Sequence, residues 1–207
     1  MKKTLFLLFF TVSISLEAQS NFKVFLKSSC PIKTWVVFHP FKAKKAFAIS
    51  LEAYKVSDSI VKTDLLDGDA SGGQVDAFRH AYWLARLHQE IGMYAARSLG
   101  KAHEKENYIT FKRSQLEDGV VPDEISSTMD LYNNEEGLKL TKRRSKTSRN
   151  SLIYKVVNAI KAGKMKIIKK NKEGNFLTFD GKIINLEALQ GKWKNKKYLV
   201  ASDQIDY

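Results

Sequence analysis

The sequence predicts a mainly α protein: a helical core domain of about four to five helices, closed by a small C-terminal antiparallel β meander. Three observations carry this. Apolar residues recur at three- and four-residue spacing through 43–63, the period of a helix that buries one face, and they cover nearly every side of a second helical stretch over 74–90. Gly92, Pro122 and Gly163 fall where periodic stretches begin or end, as helix termini prefer. Beyond Met165 the period drops to two, and Asp180-Gly181 separates two alternating runs, which is a hairpin signal.

The 207 residues suffice for one domain with an appendage, and 43% hydrophobic with 28% charged residues describes a globule rather than a disordered chain. Lys2 and Lys3 precede the apolar run Leu5 to Leu16, and small Ala18 and Ser20 follow. That pattern predicts a signal peptide over 1–20 and an exported protein, periplasmic or secreted. The run is too short to span a bilayer. Cys30 lies too far beyond it for lipid attachment. As the one Cys it excludes an intramolecular disulfide, and near Trp35 and Val36 it is expected to be a buried small hydrophobe.

The net charge of +13 is unevenly placed: residues 139–207 hold 18 Lys or Arg against 5 Asp or Glu, while residues 21–138 hold 15 against 16. The basic C-terminal third is therefore expected to meet an anionic surface or polymer. Nucleic acid is disfavoured, since no nucleic-acid-binding motif accompanies the charge.

Taken in order, Phe22 to Lys27 reads as a short extended piece, and Trp35 to Phe38 as an apolar opening segment. His39 precedes Pro40, so it should be extended, serving packing or capping. A helix over 43–63 follows. Leu65 to Gly73 is a loop whose Asp67-Gly68-Asp69 resembles the start of a calcium loop. Position twelve is Phe78 where that loop needs Glu, so the stretch reads as a turn. The helix over 74–90 is apolar nearly all round, hence buried. It carries Asp76, Arg79 and His80, with Asp76 and His80 one turn apart. His88, beside Gln89 and Glu90, is expected to be exposed.

The next helix, 93–107, sets His103 on the stripe of Ala96 and Leu99, with Glu104 about a third of a turn away. A polar connection over 108–121 turns at Asp118-Gly119. Pro122-Asp123-Glu124 opens a helix whose polar stripe holds Ser126, Asp130, Asn133, Asn134 and Gly137. Adjacent Asn residues are poor helix formers, so something must hold them there. The basic, Ser/Thr-rich stretch 139–149 reads as a linker. It divides the mature chain into a helical core domain (21–145) carrying the candidate site and a basic extension (146–207). The extension should contain a helix over 151–162, a meander from 165 to 185, and a strand within 192–200.

Three helices thus offer Asp76, Arg79 and His80; His103 and Glu104; and Asp130, Asn133 and Asn134. Bundles build sites from facing helices in this way. In one chemistry His80, His103 and a carboxylate, Asp76 foremost with Glu104 or Asp130 as alternatives, hold a divalent metal such as zinc with an open position. His103-Glu104 lacks the second His of a zincin motif; Asn107 stands there. In a metal-free chemistry His80 or His103 is general acid or base, tuned by Asp76 or Glu104, while Arg79, Asn133 and Asn134 hold a phosphate or carbonyl oxygen. A third arrangement is a buried hydrogen-bond network that only locks the helices.

The runs Gln74-Val75-Asp76-Ala77-Phe78-Arg79-His80-Ala81-Tyr82-Trp83, Ala102-His103-Glu104 and Met129-Asp130-Leu131-Tyr132-Asn133-Asn134 together resemble an uncharacterised bacterial domain. It occurs in small exported proteins and at the C-termini of some polymorphic toxins. The resemblance covers about residues 35–145 and implies a compact, mostly helical domain sharing these polar residues. The toxin setting implies hydrolysis of a phosphodiester, lipid or cell-wall bond. The expected function is then an exported hydrolase. His80, His103, Glu104, Asp130 and Arg79 would be catalytic, and Asn133 and Asn134 would hold substrate. The alternative is a non-catalytic envelope or surface-binding protein whose His/Asp/Asn cluster holds the fold.

Overall fold

The computed structural model describes residues 27–113 and 121–205. Among these residues there are six helices: α1 (Cys30–Phe38), α2 (Pro40–Val61), α3 (Gln74–Ile91), α4 (Met93–Lys112), α5 (Glu124–Lys139) and α6 (Arg149–Lys161). Strands β1 (Lys166–Ile168) and β2 (Leu199–Ala201) follow, with a short 3-10 turn at Leu186–Ala188 between them. The mainly α class with a small C-terminal β element holds. The expected signal segment 1–20, all but the last residue of the piece from Phe22 to Lys27, and the turn Asp118-Gly119 lie outside the described residues.

Helix α3 is buried on every side, and the other elements pack around it: α2, α4, α5, α6 and β1 all touch it. Its apolar residues divide between two clusters. Phe78, Ala81, Tyr82 and Ala85 meet Ala53 and Ile60 of α2, Leu152, Val156 and Ile160 of α6, and Met165 and Ile167. Leu84, Leu87 and Ile91 meet Trp35, Ile49, Ala95 and Leu99. Gly92, with φ +88°, ends the helix, a conformation that glycine adopts without strain. Close approach decides the α3–α5 crossing: a methyl group on Gly137 would overlap the Ala81 carbonyl.

Several expectations are corrected. The apolar opening segment Trp35 to Phe38 is the end of a helix, α1, whose first turn Pro31 pre-sets. His39 does pack as expected: its ring stacks on Trp35 at 4.6 Å, and its Nδ1 lies 3.0 Å from the Trp35 carbonyl oxygen. Cys30 is exposed, since it opens α1 rather than facing Trp35's side of it. His88 is buried, with Nδ1 2.9 Å from the Leu138 carbonyl oxygen. The end of α5 and the stretch after it cover this end of α3, a tertiary effect that its polar neighbours do not reveal.

That stretch is not a free linker. Arg144 N–H donates to the Gln89 carbonyl at 2.9 Å, and Gln89 Nε2 donates to the Thr147 carbonyl at 3.1 Å. Residues on both sides of position 145 share one core, because α6 buries its apolar stripe against α3. Asp123 caps α5, with Pro122 just before the helix: its carboxylate accepts from Ser126 N–H at 2.8 Å. The other carboxylate oxygen accepts from Lys197 Nζ at 2.7 Å in a pair whose side chains are 6% and 4% exposed. This ties the C-terminal extension to the start of α5.

The period-two segments form less sheet than expected. β1 and β2 pair antiparallel, Ile167 opposite Val200. The meander between them is held by isolated bridges, Lys170 to Phe176 and Leu177 to Ile183. Its expected turn is present, Gly181 taking φ +78°. No helix of the described residues is long and apolar enough to cross a membrane.

Candidate functional site

The loop before α3 sets Asp76. Gly72 takes φ +90°, and its N–H donates to Asp76 Oδ2 at 2.7 Å while its carbonyl accepts from Ile168 N–H of β1 at 2.7 Å. Asp67 Oδ2 accepts from Gln74 N–H at 2.8 Å and closes the first turn of the helix. Asp67 and Asp69 are thus turn and capping groups, as expected from the failed calcium pattern. Asp76 Oδ1 then accepts from Arg79 Nη2 at 2.6 Å.

One turn on, His80 Nε2 lies 3.6 Å from Asp76 Oδ1 and 3.4 Å from Asp130 Oδ1 of α5. One ligand atom from each of Asp76, His80 and Asp130 falls within 4.8 Å of the others, and all three residues are buried. The His80 separations exceed a well-formed N–H···O hydrogen bond. They match a shared ion: ligands about 2.0–2.2 Å from one tetrahedral zinc stand about 3.3–3.6 Å from each other.

Burial holds His80 well below the ordinary imidazole range; the nearby Arg79 charge and His103 act in the same direction, and the Asn134 amide opposes them in part. This favours the neutral ring, whose lone pair a metal ligand must offer.

The structure brings together Asp76, His80 and Asp130, with Arg79 against them. His103 does not join as a ligand. Its ring stands 6.1 Å from that of His80 and edge-on to Trp83 at 5.5 Å, and its Nδ1 is 3.8 Å from Glu106 Oε2. Glu104 is buried on α4, accepting from Asn107 Nδ2 at 3.2 Å. Asn133 is engaged at both ends of its amide: Nδ2 donates to the Lys166 carbonyl at 2.9 Å and Oδ1 accepts from Lys166 N–H at 2.8 Å. That explains what holds one of the two Asn residues in α5, and the partner is a strand. Asn134 stays with the cluster, beside His80 and against Gly100 of α4.

A cavity of about 550 Å³ opens between α1, α2, α3 and α4. Ile32, Trp35, Val36, Ala46, Phe47 and Leu99 make its walls apolar, and Arg79, His80, His103 and Glu106 bring charge and hydrogen-bonding capacity to it. Asp76 and Asp130 stand behind Arg79 and His80. Two site residues escaped the sequence reading. Glu106 accepts from Ser29 N–H at 3.3 Å and faces His103; burial would raise its carboxyl, but hydrogen bonds from His103 and Ser29 hold it below the usual range. Its three-residue spacing from His103 was the available signal. Tyr54 packs its ring against the Arg79 guanidinium at 5.4 Å from the centroid, and nothing local announces that contact.

Comparison with curated proteins found no match, and comparison with solved structures found none. A family profile does match, over residues 33–164. The match runs from within α1 through α6, the helix that completes the core. The chain belongs to the family described as a domain of unknown function, DUF6973.

Proposed function

We propose that this domain is an exported hydrolase in which Asp76, His80 and Asp130 hold a divalent metal, acting on an anionic amphiphile such as a lipid ester or phosphoester. One observation carries the reading: buried ligand atoms of Asp76, His80 and Asp130 lie within 4.8 Å of one another, His80 3.4 and 3.6 Å from the two carboxylates, beside the polar end of an apolar cavity that His80 lines. Apolar pockets with a few convergent polar groups are the usual form of a small-molecule site. A divalent ion there would polarise a carbonyl or phosphoryl oxygen and activate water.

The chain's own groups divide the remaining work. Arg79, at the cavity, orients an anionic head group. His103, held by Glu106, is the group placed to move a proton. The walls from Ile32 to Phe47 take the apolar tail. The N-terminal apolar segment and the toxin setting of the resembling domains add to the exported, hydrolytic reading. Free phosphodiesters and cell-wall polymers rank below lipids because they leave the apolar walls without a role.

A second reading has its own observation. Arg79 Nη2 lies 2.6 Å from Asp76 Oδ1 and 3.4 Å from His80 Nε2, so the guanidinium itself is a cation for the cluster. The group would then be a structural network in a non-catalytic envelope protein. Hydrolysis assays on phospholipid, simple phosphodiester and peptidoglycan, with zinc or manganese added, separate the two. Lipid turnover that Asp130→Asn abolishes supports the enzyme. Its absence on every substrate, with Asp130→Asn only lowering stability, supports the network.

A further inference from the structure

The corner where α1 turns into α2 presents large apolar side chains to solvent. Phe41 is 100% exposed, Phe38 76% and Val37 65%. They fall within five residues of one another, on either side of His39-Pro40. Exposing this much apolar surface in one patch is unusual for a soluble surface unless it meets something.

The charge around the corner says what. From Lys27 to Leu51 there is no Asp or Glu, while Lys27, Lys33, Lys42, Lys44 and Lys45 fall in the same stretch. Lys45 bonds across to Glu90 of α3 at 3.0 Å, Lys33 and Lys42 flank the apolar tip in sequence, and exposed Lys44 lines the cavity beside it. Aromatic residues ringed by lysines are what an anionic bilayer surface selects, the rings entering the head-group boundary and the ammonium groups meeting phosphate. The cavity adjoins the same corner: its walls include Val36 and Ala43, next to Val37 and two residues from Phe41.

We infer that the α1–α2 corner is a peripheral membrane-docking tip, inserting Val37, Phe38 and Phe41 into the interface of an anionic lipid bilayer with Lys33, Lys42 and Lys44 against its head groups. Docked this way, the cavity mouth faces the lipid. The docking needs no catalysis and stands or falls separately from the hydrolase reading.

The test is co-sedimentation of the full chain with vesicles of phosphatidylcholine alone and of phosphatidylcholine mixed with phosphatidylglycerol. Wild type is compared with a Phe38→Ser, Phe41→Ser double variant, a Lys33→Gln, Lys42→Gln, Lys44→Gln triple variant, and Phe179→Ser. Phe179 is 88% exposed in the distant C-terminal hairpin. All share residues 1–26, so differences report the corner. Expected are preferential binding to the anionic vesicles, a loss of at least about tenfold in the double variant, a smaller loss with weaker salt dependence in the triple variant, and no change for Phe179→Ser. Equal binding by wild type and the double variant would overturn the inference, as would wild type that fails to bind anionic vesicles. A concentration-dependent dimer abolished by the double variant, without vesicle binding, would overturn it in favour of a second copy covering the tip.

Discussion

Two carboxylate oxygens converging on one neutral imidazole set the chemistry of His80. Half of this was legible in the chain: the four-residue spacing of Asp76 and His80 on a buried helix brings them together, and the polar stripe of α5 named Asp130. What spacing could not give was distance between helices. His103 shares the inward stripe of α4 yet ends one ring away from the ligand atoms, beside Trp83. Asn133 sat on the right stripe too, but hydrogen-bonds to Lys166, a partner 33 residues away. Asn133→Ala should therefore cost about 1–3 kcal/mol in denaturant unfolding, because it leaves part-buried backbone groups of β1 without their side-chain partner, without altering metal binding.

A pH effect belongs to this scale as well. Burial would raise the Glu52 carboxyl, but hydrogen bonds from Arg86 and Tyr82 and the charges of Arg86 and Arg149 hold it below 4.5. A carboxyl lowered in the folded state contributes stability above its unfolded value, and the contribution disappears as pH falls through the folded one. Unfolding midpoints measured from neutral to acid pH should decline on the acid side, and Glu52→Gln should lower the neutral value and flatten that decline.

Among the elements, α3 shows how far a helix can be read from its own residues. Its apolar girth gave burial, and Gly92 gave its end. The burial of His88 was hidden, since it comes from the end of α5 folding over it. Gly137 of α5 carries the crossing. The Gly137→Ala variant should lose about 1–3 kcal/mol by forcing α3 and α5 apart, and the same movement separates Asp130 from His80. Thermal unfolding would report the first effect and weakened metal binding the second. Alanine at exposed Ser151 on α6 is the control expected to change neither.

Across the whole molecule, the basic C-terminal third looked like an appendage because its charge differs so sharply from the rest. Charge describes surfaces, however, and cores are decided by apolar stripes. Helix α6 carries such a stripe and completes the core, and the buried Asp123–Lys197 pair fastens the remaining extension. Removing one member of a buried pair leaves the other charge uncompensated. Asp123→Ala should cost about 3–5 kcal/mol in global unfolding, whereas the solvent-facing lysines of the same region should be replaceable at little cost.

The central claim is that Asp76, His80 and Asp130 form a metal centre. Its most direct test is elemental mass spectrometry of the protein purified without chelator, beside His80→Ala, Asp130→Ala and His103→Ala. Near-stoichiometric zinc, manganese or another divalent ion in wild type, retained by His103→Ala and lost from the other two, is the expected result. A protein that folds but carries no metal even after incubation with these ions, or one whose metal survives both His80→Ala and Asp130→Ala, would contradict it.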